Sequence, residues 1–227
     1  MSDALRPTIA IDGPAGAGKS TVSRRVAQAL GLRYVDTGAM YRVVGVLADD
    51  AGIALDDAAA LATLCDTLSL EFVEAADGVH VMANDRDLTR AIRTAAAGQL
   101  ASKVSTQPVV RERLVALQRR LGEGGGVVME GRDIGTVVLP HATVKIFLVA
   151  SAAERARRRW AELRARGEDA DQAQIQREIE ERDVRDSTRA HSPLVPAADA
   201  LLIDTTSEGV DEVVARVRNL VAGLGNP

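Results

Sequence analysis

Residues 13–20 read Gly13-Pro14-Ala15-Gly16-Ala17-Gly18-Lys19-Ser20, which satisfies the pattern G-x-x-x-x-G-K-[ST]. Glycines at these positions let consecutive backbone N–H groups wrap a di- or triphosphate, and Lys19 can reach the outer phosphates. Ser20 is placed to ligate the Mg²⁺ that accompanies such a group. The flanks suit the chemistry: Thr8-Ile9-Ala10-Ile11 predicts a strand, and Val22, Val26, Ala29 and Leu30 recur at helical spacing. The loop therefore ends at a helix N-terminus, whose partial positive charge favours anions. A glycine-rich turn with a helix cap is the plainer alternative. It leaves Lys19 unexplained, because the chain has only three lysines (Lys19, Lys103, Lys145) against 25 arginines.

The arginines are the second chemical resource. A coding bias accounts for their number, so only their placement is informative. Arg132 follows a predicted strand at Val127-Val128-Met129, and ligands of open parallel sheets sit beyond the carboxyl ends of strands. Arg182, Arg185 and Arg189 are interleaved with Asp183 and Asp186 ahead of His191-Ser192-Pro193. This stretch is either an exposed helix of alternating charge or a set of guanidinium forks converging on a second phosphate, a task for which arginine's bidentate geometry suits. The run Arg155, Arg157, Arg158, Arg159 reads by itself as a solvated helix face. The three histidines, His80, His141 and His191, are scattered and form no base or metal constellation. Cys65, beside Leu64 and near Leu68, reads as a buried structural thiol rather than a nucleophile.

Five short apolar strands must position these groups: 8–11, 32–35, 127–129, 144–149 and 201–203. Helical patterns separate them at 22–30, 39–47, 108–121, 152–166, 172–185 and 210–220, with Pro108 opening one helix and Gly124-Gly125-Gly126 closing it. Strands alternating with helices predict an α/β fold, a five-stranded parallel sheet covered on both faces. Between residues 56 and 102 the texture changes to an Ala/Leu-rich helix followed by alternating Leu68, Leu70, Phe72, then Asp77-Gly78, Val79 and Val81, which predicts an inserted antiparallel hairpin.

Composition sets the bounds. The 227 residues are 46% hydrophobic, enough for a substantial core, and the net charge of −4 argues against a nucleic-acid polymer as partner. Aromatic residues make up 2%, too few for a base-stacking platform. The segment 1–7 shows no apolar signal core and no apolar run reaches about 18 residues, so no membrane association and a cytoplasmic location are expected.

At this point the chain resembles the bacterial cytidylate (CMP) kinases of the P-loop nucleoside monophosphate kinase superfamily. The resemblance rests on Ile11-Asp12-Gly13-Pro14 through Ser20-Thr21, Asp36-Thr37-Gly38-Ala39-Met40-Tyr41-Arg42, Glu130-Gly131-Arg132-Asp133-Ile134-Gly135-Thr136-Val137-Val138, Arg182-Asp183-Val184-Arg185-Asp186, and Pro193 through Ala200. It implies a single P-loop kinase domain with a core at 1–38, 106–150 and 190–227. The monophosphate-binding region with its insertion spans 39–105, and a short helical lid with the following helix spans 151–189. It also implies ATP as donor, bound by Gly13, Pro14, Ala15, Gly16, Ala17, Gly18, Lys19, Ser20 and Thr21, with Mg²⁺ at Ser20, and CMP or dCMP as acceptor in a monomeric enzyme.

The implied acceptor contacts are Thr37, Tyr41, Arg42, Ser102, Arg111, Arg132, Asp133, Arg182, Asp186 and Arg189. Arg42, Arg132 and Arg189 hold the monophosphate, and Arg182 and Asp186 touch the ribose. Ser102, Arg111 and Asp133 read the cytosine edge, with Ser105 the competitor for the serine role. Lys19, Arg132, Arg189 and the lid arginine Arg158 are the expected catalytic groups, and Arg155 and Arg159 are further lid candidates. Trp160 is expected in the lid. Two other readings remain at this stage: a small-metabolite kinase resembling shikimate or gluconate kinases, and a nucleotide-dependent switch.

Overall fold

The structure, a computed structural model, describes residues 6–75 and 78–224. Asp77 of the expected hairpin turn and the first five residues of the segment examined for a signal core lie outside the described residues. The chain divides into two compact units, one made of residues 1–35 and 122–227 and the other of residues 36–121.

The first unit is built on a five-stranded sheet. Its strands are β1 (Thr8–Asp12), β2 (Arg33–Asp36), β6 (Val127–Gly131), β7 (Val144–Val149) and β8 (Leu201–Asp204), in the order β2-β6-β1-β7-β8. The pairs β1 with β6, β1 with β7, and β7 with β8 are parallel, with Ile9 opposite Val128 and Val144. The central strands are buried along their length because helices must connect parallel neighbours and so cover the sheet. The helices of this unit are α1 (Lys19–Leu30), α6 (Ala152–Ala165), α7 (Gln172–Thr188) and α8 (Val210–Leu224). One core cluster joins Ile9, Ile11, Val128, Ile146 and Leu148 from the sheet to Val22 and Val26 of α1 and Val213 and Val217 of α8. Complete burial of each such aliphatic side chain stabilises the fold by about 1.5–3 kcal/mol, so the sheet centre, with no aromatic residue on β1 or β6, is held mainly by branched chains.

Helix α1 starts after Gly18 and stops at Gly31, both in the left-handed region. Gly13 is the tightest point of the loop between β1 and α1: its φ is +145°, and a Cβ there would lie 2.1 Å from the carbonyl oxygen of Leu148. Backbone, not a movable side chain, occupies that space. Gly13→Ala is therefore expected to cost roughly 3–5 kcal/mol and to lower the melting temperature by about 10 °C, measured by calorimetry; an unchanged transition would contradict this packing.

The second unit holds α2 (Thr37–Asp50), α3 (Ala58–Asp66), the antiparallel strands β3 (Leu70–Ala75), β4 (Gly78–Ala83) and β5 (Arg86–Asp87), α4 (Ala95–Val104) and α5 (Pro108–Gly122), whose last residue passes into the first unit. Helix α2 is buried on two sides. Met40, Tyr41, Val44 and Ala48 pack with Leu61, Ala101, Val104, Val110 and Leu114, while Ala39, Val43 and Leu47 pack with Val81, Ala83, Leu88 and Ile92. The expected inserted hairpin is thus part of a three-stranded sheet whose third strand turns through Asn84 and Asp85, both at positive φ. Helix α5 belongs to this unit and not to the core where the sequence reading put 106–121, because Val110 and Leu114 close the cluster around α2. Cys65 is half-buried rather than fully buried; its burial nevertheless pushes the thiol up to about 11, which keeps it protonated and unreactive.

Candidate functional site

The loop after β1 places Lys19 as the first residue of α1, 7% exposed, with Nζ donating to the Pro14 carbonyl oxygen at 2.7 Å. Burial pulls the ammonium down to about 7, helped by Arg132 and Arg182 and opposed by Glu130 and Asp12. A cation buried inside its own loop, with Glu130 and Asp12 not fully compensating its burial and the neighbouring arginines, is in the electrostatic condition a polyphosphate would relieve.

Strand β6 ends in Glu130 and Gly131, and Arg132 and Asp133 lead into a single π-helical turn, Ile134–Val138. Such turns recur at functional sites, where they re-aim side chains. Asp133 is 5% exposed and faces Arg189 Nη2 at 3.6 Å. Arg132 Nε donates to Asp186 Oδ2 at 2.9 Å, and Arg182 lies 3.8 Å from the same oxygen. Burial raises the Asp186 carboxyl, but Arg132, Arg182 and Arg189 outweigh it and hold the group below the ordinary carboxylate range. The C-terminal end of α7 is fixed by Arg189 Nε on the Ser192 carbonyl oxygen and by the Leu194 amide on the Asp186 carbonyl oxygen. Arg132, Asp133, Arg182, Asp186 and Arg189 thus form one partly buried network.

The lid arginines separate into different environments. Arg155 is 4% exposed; it donates to the Ala150 and Ala15 carbonyl oxygens, grips both carboxylate oxygens of Asp183, and packs its stem where a Cβ on Gly16 would be. Arg158 bonds Glu154 and Thr205, with Nη1 3.8 Å from the position of a Cβ on Gly18. Arg159 pairs with Glu162 near the surface. Trp160 lies on α6, its indole nitrogen donating to the Ala170 carbonyl oxygen. Arg155 therefore braces the loop in this structure, and Arg158 is the lid arginine beside the loop's last glycine.

In the second unit, Asp36 caps α2 by accepting from the Ala39 amide at 3.0 Å and holds Arg42 with its other oxygen at 2.8 Å. Thr37 and Tyr41 are buried on the same helix. Ser102 on α4 and Arg111 on α5 are 2% and 4% exposed. Arg111 lies over the Tyr41 ring at 5.8 Å and donates to the Ser105 carbonyl oxygen, and the Ser105 hydroxyl donates to the Ser102 carbonyl oxygen. Both candidate serines thus share one cluster with Arg111 and Tyr41.

Sequence reasoning missed three contributors. Asp12 ends β1 with a carboxylate bonded to the Ile134 and Gly135 amides; Asp183 holds Arg155; and Thr205 links Arg158 to the Ala17 carbonyl oxygen. For Asp12, an acid at the end of an otherwise apolar strand was the available signal.

A family model described as "Cytidylate kinase" matches residues 9–222. A cytidylate kinase of Syntrophotalea carbinolica is 52% identical over 94% of this chain and 91% of its own length, and one of Pelotomaculum thermopropionicum is 54% identical over 93% and 94%. Among solved structures, an uncharacterized protein of Eubacterium ventriosum aligns over 96% of this chain and 99% of its own with a TM-score of 0.51 and 11% identity, a likeness of fold alone.

Proposed function

Because the chain belongs to the cytidylate kinase family, we propose that it transfers the γ-phosphoryl group of ATP to CMP or dCMP, giving ADP and CDP or dCDP. The observation that supports this best is the network of Arg132, Asp133, Arg182, Asp186 and Arg189 in the same unit as the Lys19 loop.

The nucleophile is an oxygen of the acceptor phosphate. The second pKa of such a monoester is about 6, so the dianion is present at neutral pH and no side chain need remove a proton. What the chain must supply is positioning and charge neutralisation. Lys19, released from the Pro14 carbonyl, would follow the transferring phosphoryl group; Arg42, Arg132 and Arg189 would hold the acceptor phosphate, with Arg182 and Asp186 on its ribose. Arg158 would close on the phosphates from the lid and help exclude water, the competing acceptor.

Among the described residues no group of three or more His, Cys, Asp or Glu is placed to hold a metal. The hydroxyl of Ser20, a hard oxygen donor in the first turn of α1, suits Mg²⁺ ligated mainly by phosphate oxygens and water. When bound, Mg²⁺ would neutralise charge on the transferring phosphates.

Base recognition would use Asp133 as acceptor for the exocyclic amine of cytosine, with Arg111 and Ser102 on the ring acceptors. We take the working form to be a cytoplasmic monomer; among the described residues no helix is long and apolar enough to cross a membrane.

A coupled assay with ATP and Mg²⁺ against CMP, dCMP, UMP, AMP, GMP and shikimate tests the reading. CMP and dCMP are expected to give the highest kcat/KM. Turnover of CMP no faster than ATP alone would overturn the proposal, and turnover of shikimate in its place would favour the metabolite-kinase reading.

A further inference from the structure

Asp12 has been given no part in acceptor recognition so far, yet its carboxylate is firmly built into the first unit. It is the last residue of β1, directly before the phosphate loop, and is 5% exposed. Its two oxygens are divided between two backbone donors: Oδ1 accepts from the Ile134 amide at 2.9 Å, and Oδ2 from the Gly135 amide at 2.8 Å. These amides open the π-helical turn that directly follows Asp133, a residue held at φ −148° and ψ 26°, outside the regular regions. Gly135 lies so close that a Cβ on it would be 3.5 Å from Asp12 Oδ2 and 3.3 Å from the Lys145 side chain.

Helix capping does not explain this geometry. Leaving two backbone donors unpaired costs free energy, and a serine or asparagine suffices to cap one. A buried ionised carboxylate is a more expensive solution. What it uniquely supplies is two acceptor oxygens in one rigid plane, which fixes the orientation of the turn and not merely its hydrogen bonding. Arg132 and Asp133 are the residues immediately before those amides, and they lead to Asp186 and Arg189.

We infer that Asp12 is a positioning residue for acceptor recognition: by gripping the Ile134 and Gly135 amides it fixes the backbone from which Asp133 and Arg132 project, and so sets the discrimination between cytosine and uracil. The inference rests on the base-reading role proposed for Asp133. The charged groups acting on Asp12 are Asp133 at the turn and Lys19 on α1, while the aliphatic stem of Lys145 on β7 lies beyond Gly135 with its ammonium on Asp199. Burial, with the repulsion of Asp133, outweighs the two amides and Lys19 and lifts the Asp12 carboxyl to about 6. In the native state it therefore holds its proton to higher pH than in the unfolded chain, and stability is lost as pH rises from about 4 to 6. Asp12→Asn removes that burden while forfeiting one acceptor, two opposing effects, so the variant is expected to fold.

The test measures kcat/KM for CMP and UMP at pH 7.5 in wild type, Asp12→Asn and Asp133→Ala, with the ¹H–¹⁵N shifts of Ile134 and Gly135 followed from pH 7.5 to 5. An asparagine can accept from only one of the two amides, so the CMP/UMP ratio is expected to fall about tenfold. The two wild-type amide shifts should titrate together near pH 6 and be flat in Asp12→Asn. A folded Asp12→Asn that keeps the wild-type ratio, or wild-type amides that do not respond to pH, would overturn the inference; the second readout holds even if the variant fails to fold. If Asp133→Ala also keeps the ratio, the base-reading proposal itself is lost. Loss in Asp133→Ala with none in Asp12→Asn condemns only the role of Asp12.

Discussion

Lys19→Ala is expected to reduce kcat for every acceptor by at least about 10³-fold, with a smaller rise in KM for ATP. Removing one preorganised donor from a developing charge typically costs 10²–10³ in rate; a full cation on the transferring group exceeds a neutral donor because charge-assisted bonds are roughly twice as strong. The residue's ground state sharpens the expectation. Nζ is spent on the Pro14 carbonyl oxygen and sits among Arg132, Arg182, Glu130 and Asp12, so its charge is best compensated when phosphate arrives, and its loss falls on the transition state more than on binding. Lys19→Arg should not rescue the activity. The fork is planar and larger than an ammonium, and the side chain has only 7% exposure in which to fit it. Steady-state and single-turnover rates with CMP would check both variants, with circular dichroism to show that they fold. A kcat within tenfold of wild type in Lys19→Ala would show that the Mg²⁺ and the arginines carry the charge without it.

The contrast between Lys19 and the arginine runs also shows what the sequence could and could not convey. The loop, its strand and its helix are contiguous, so one stretch of about 25 residues carries both the chemistry and its support, and β1, β6 and β7 announce themselves because the buried centres of parallel strands are apolar runs. Helix α4, which carries Ser102, was not foreseen, although Thr94 ahead of three alanines is the capping pattern it uses. The run from Arg155 to Arg159 looked uniform. Helical geometry divides it: Arg155 faces the loop and Asp183, and Arg157 stays outside against Glu154. The Asp12 grip was the least legible feature, because its partners lie 122 and 123 residues away and are backbone amides, which leave no mark on side-chain identity. Local pattern specifies elements; contacts between distant backbone and a single acid have to be seen.

Asp133→Ala is expected to lower the preference for CMP over UMP by about 100-fold, mainly through loss of CMP turnover. A site built to hydrogen-bond a particular group rejects an analogue lacking it far more strongly than a size difference would, because buried polar atoms are left unpaired. For a carboxylate facing the exocyclic amine of cytosine, uracil is worse than unpaired: its carbonyl presents an acceptor to an acceptor, so the wild-type contact repels it. Alanine removes both the attraction and the repulsion, and kcat/KM for CMP and UMP should converge, CMP falling and UMP holding or rising. The position of Asp133 adds a second consequence. Arg189 Nη2 lies 3.6 Å from it, with both side chains buried, so the alanine variant also removes the anion that orients Arg189, and KM for CMP should rise through misplacement of that guanidinium along with the loss of selectivity. Asp133→Asn separates the two effects. It restores shape and an acceptor oxygen but not the charge, and the amide can rotate to offer a donor to uracil, so its CMP/UMP ratio should fall below that of the alanine variant. Competition between CMP and UMP in one reaction, quantified by product ratio, measures this directly. A product ratio equal to wild type in both variants would remove Asp133 from base recognition and leave the pairing with Arg189 as its role.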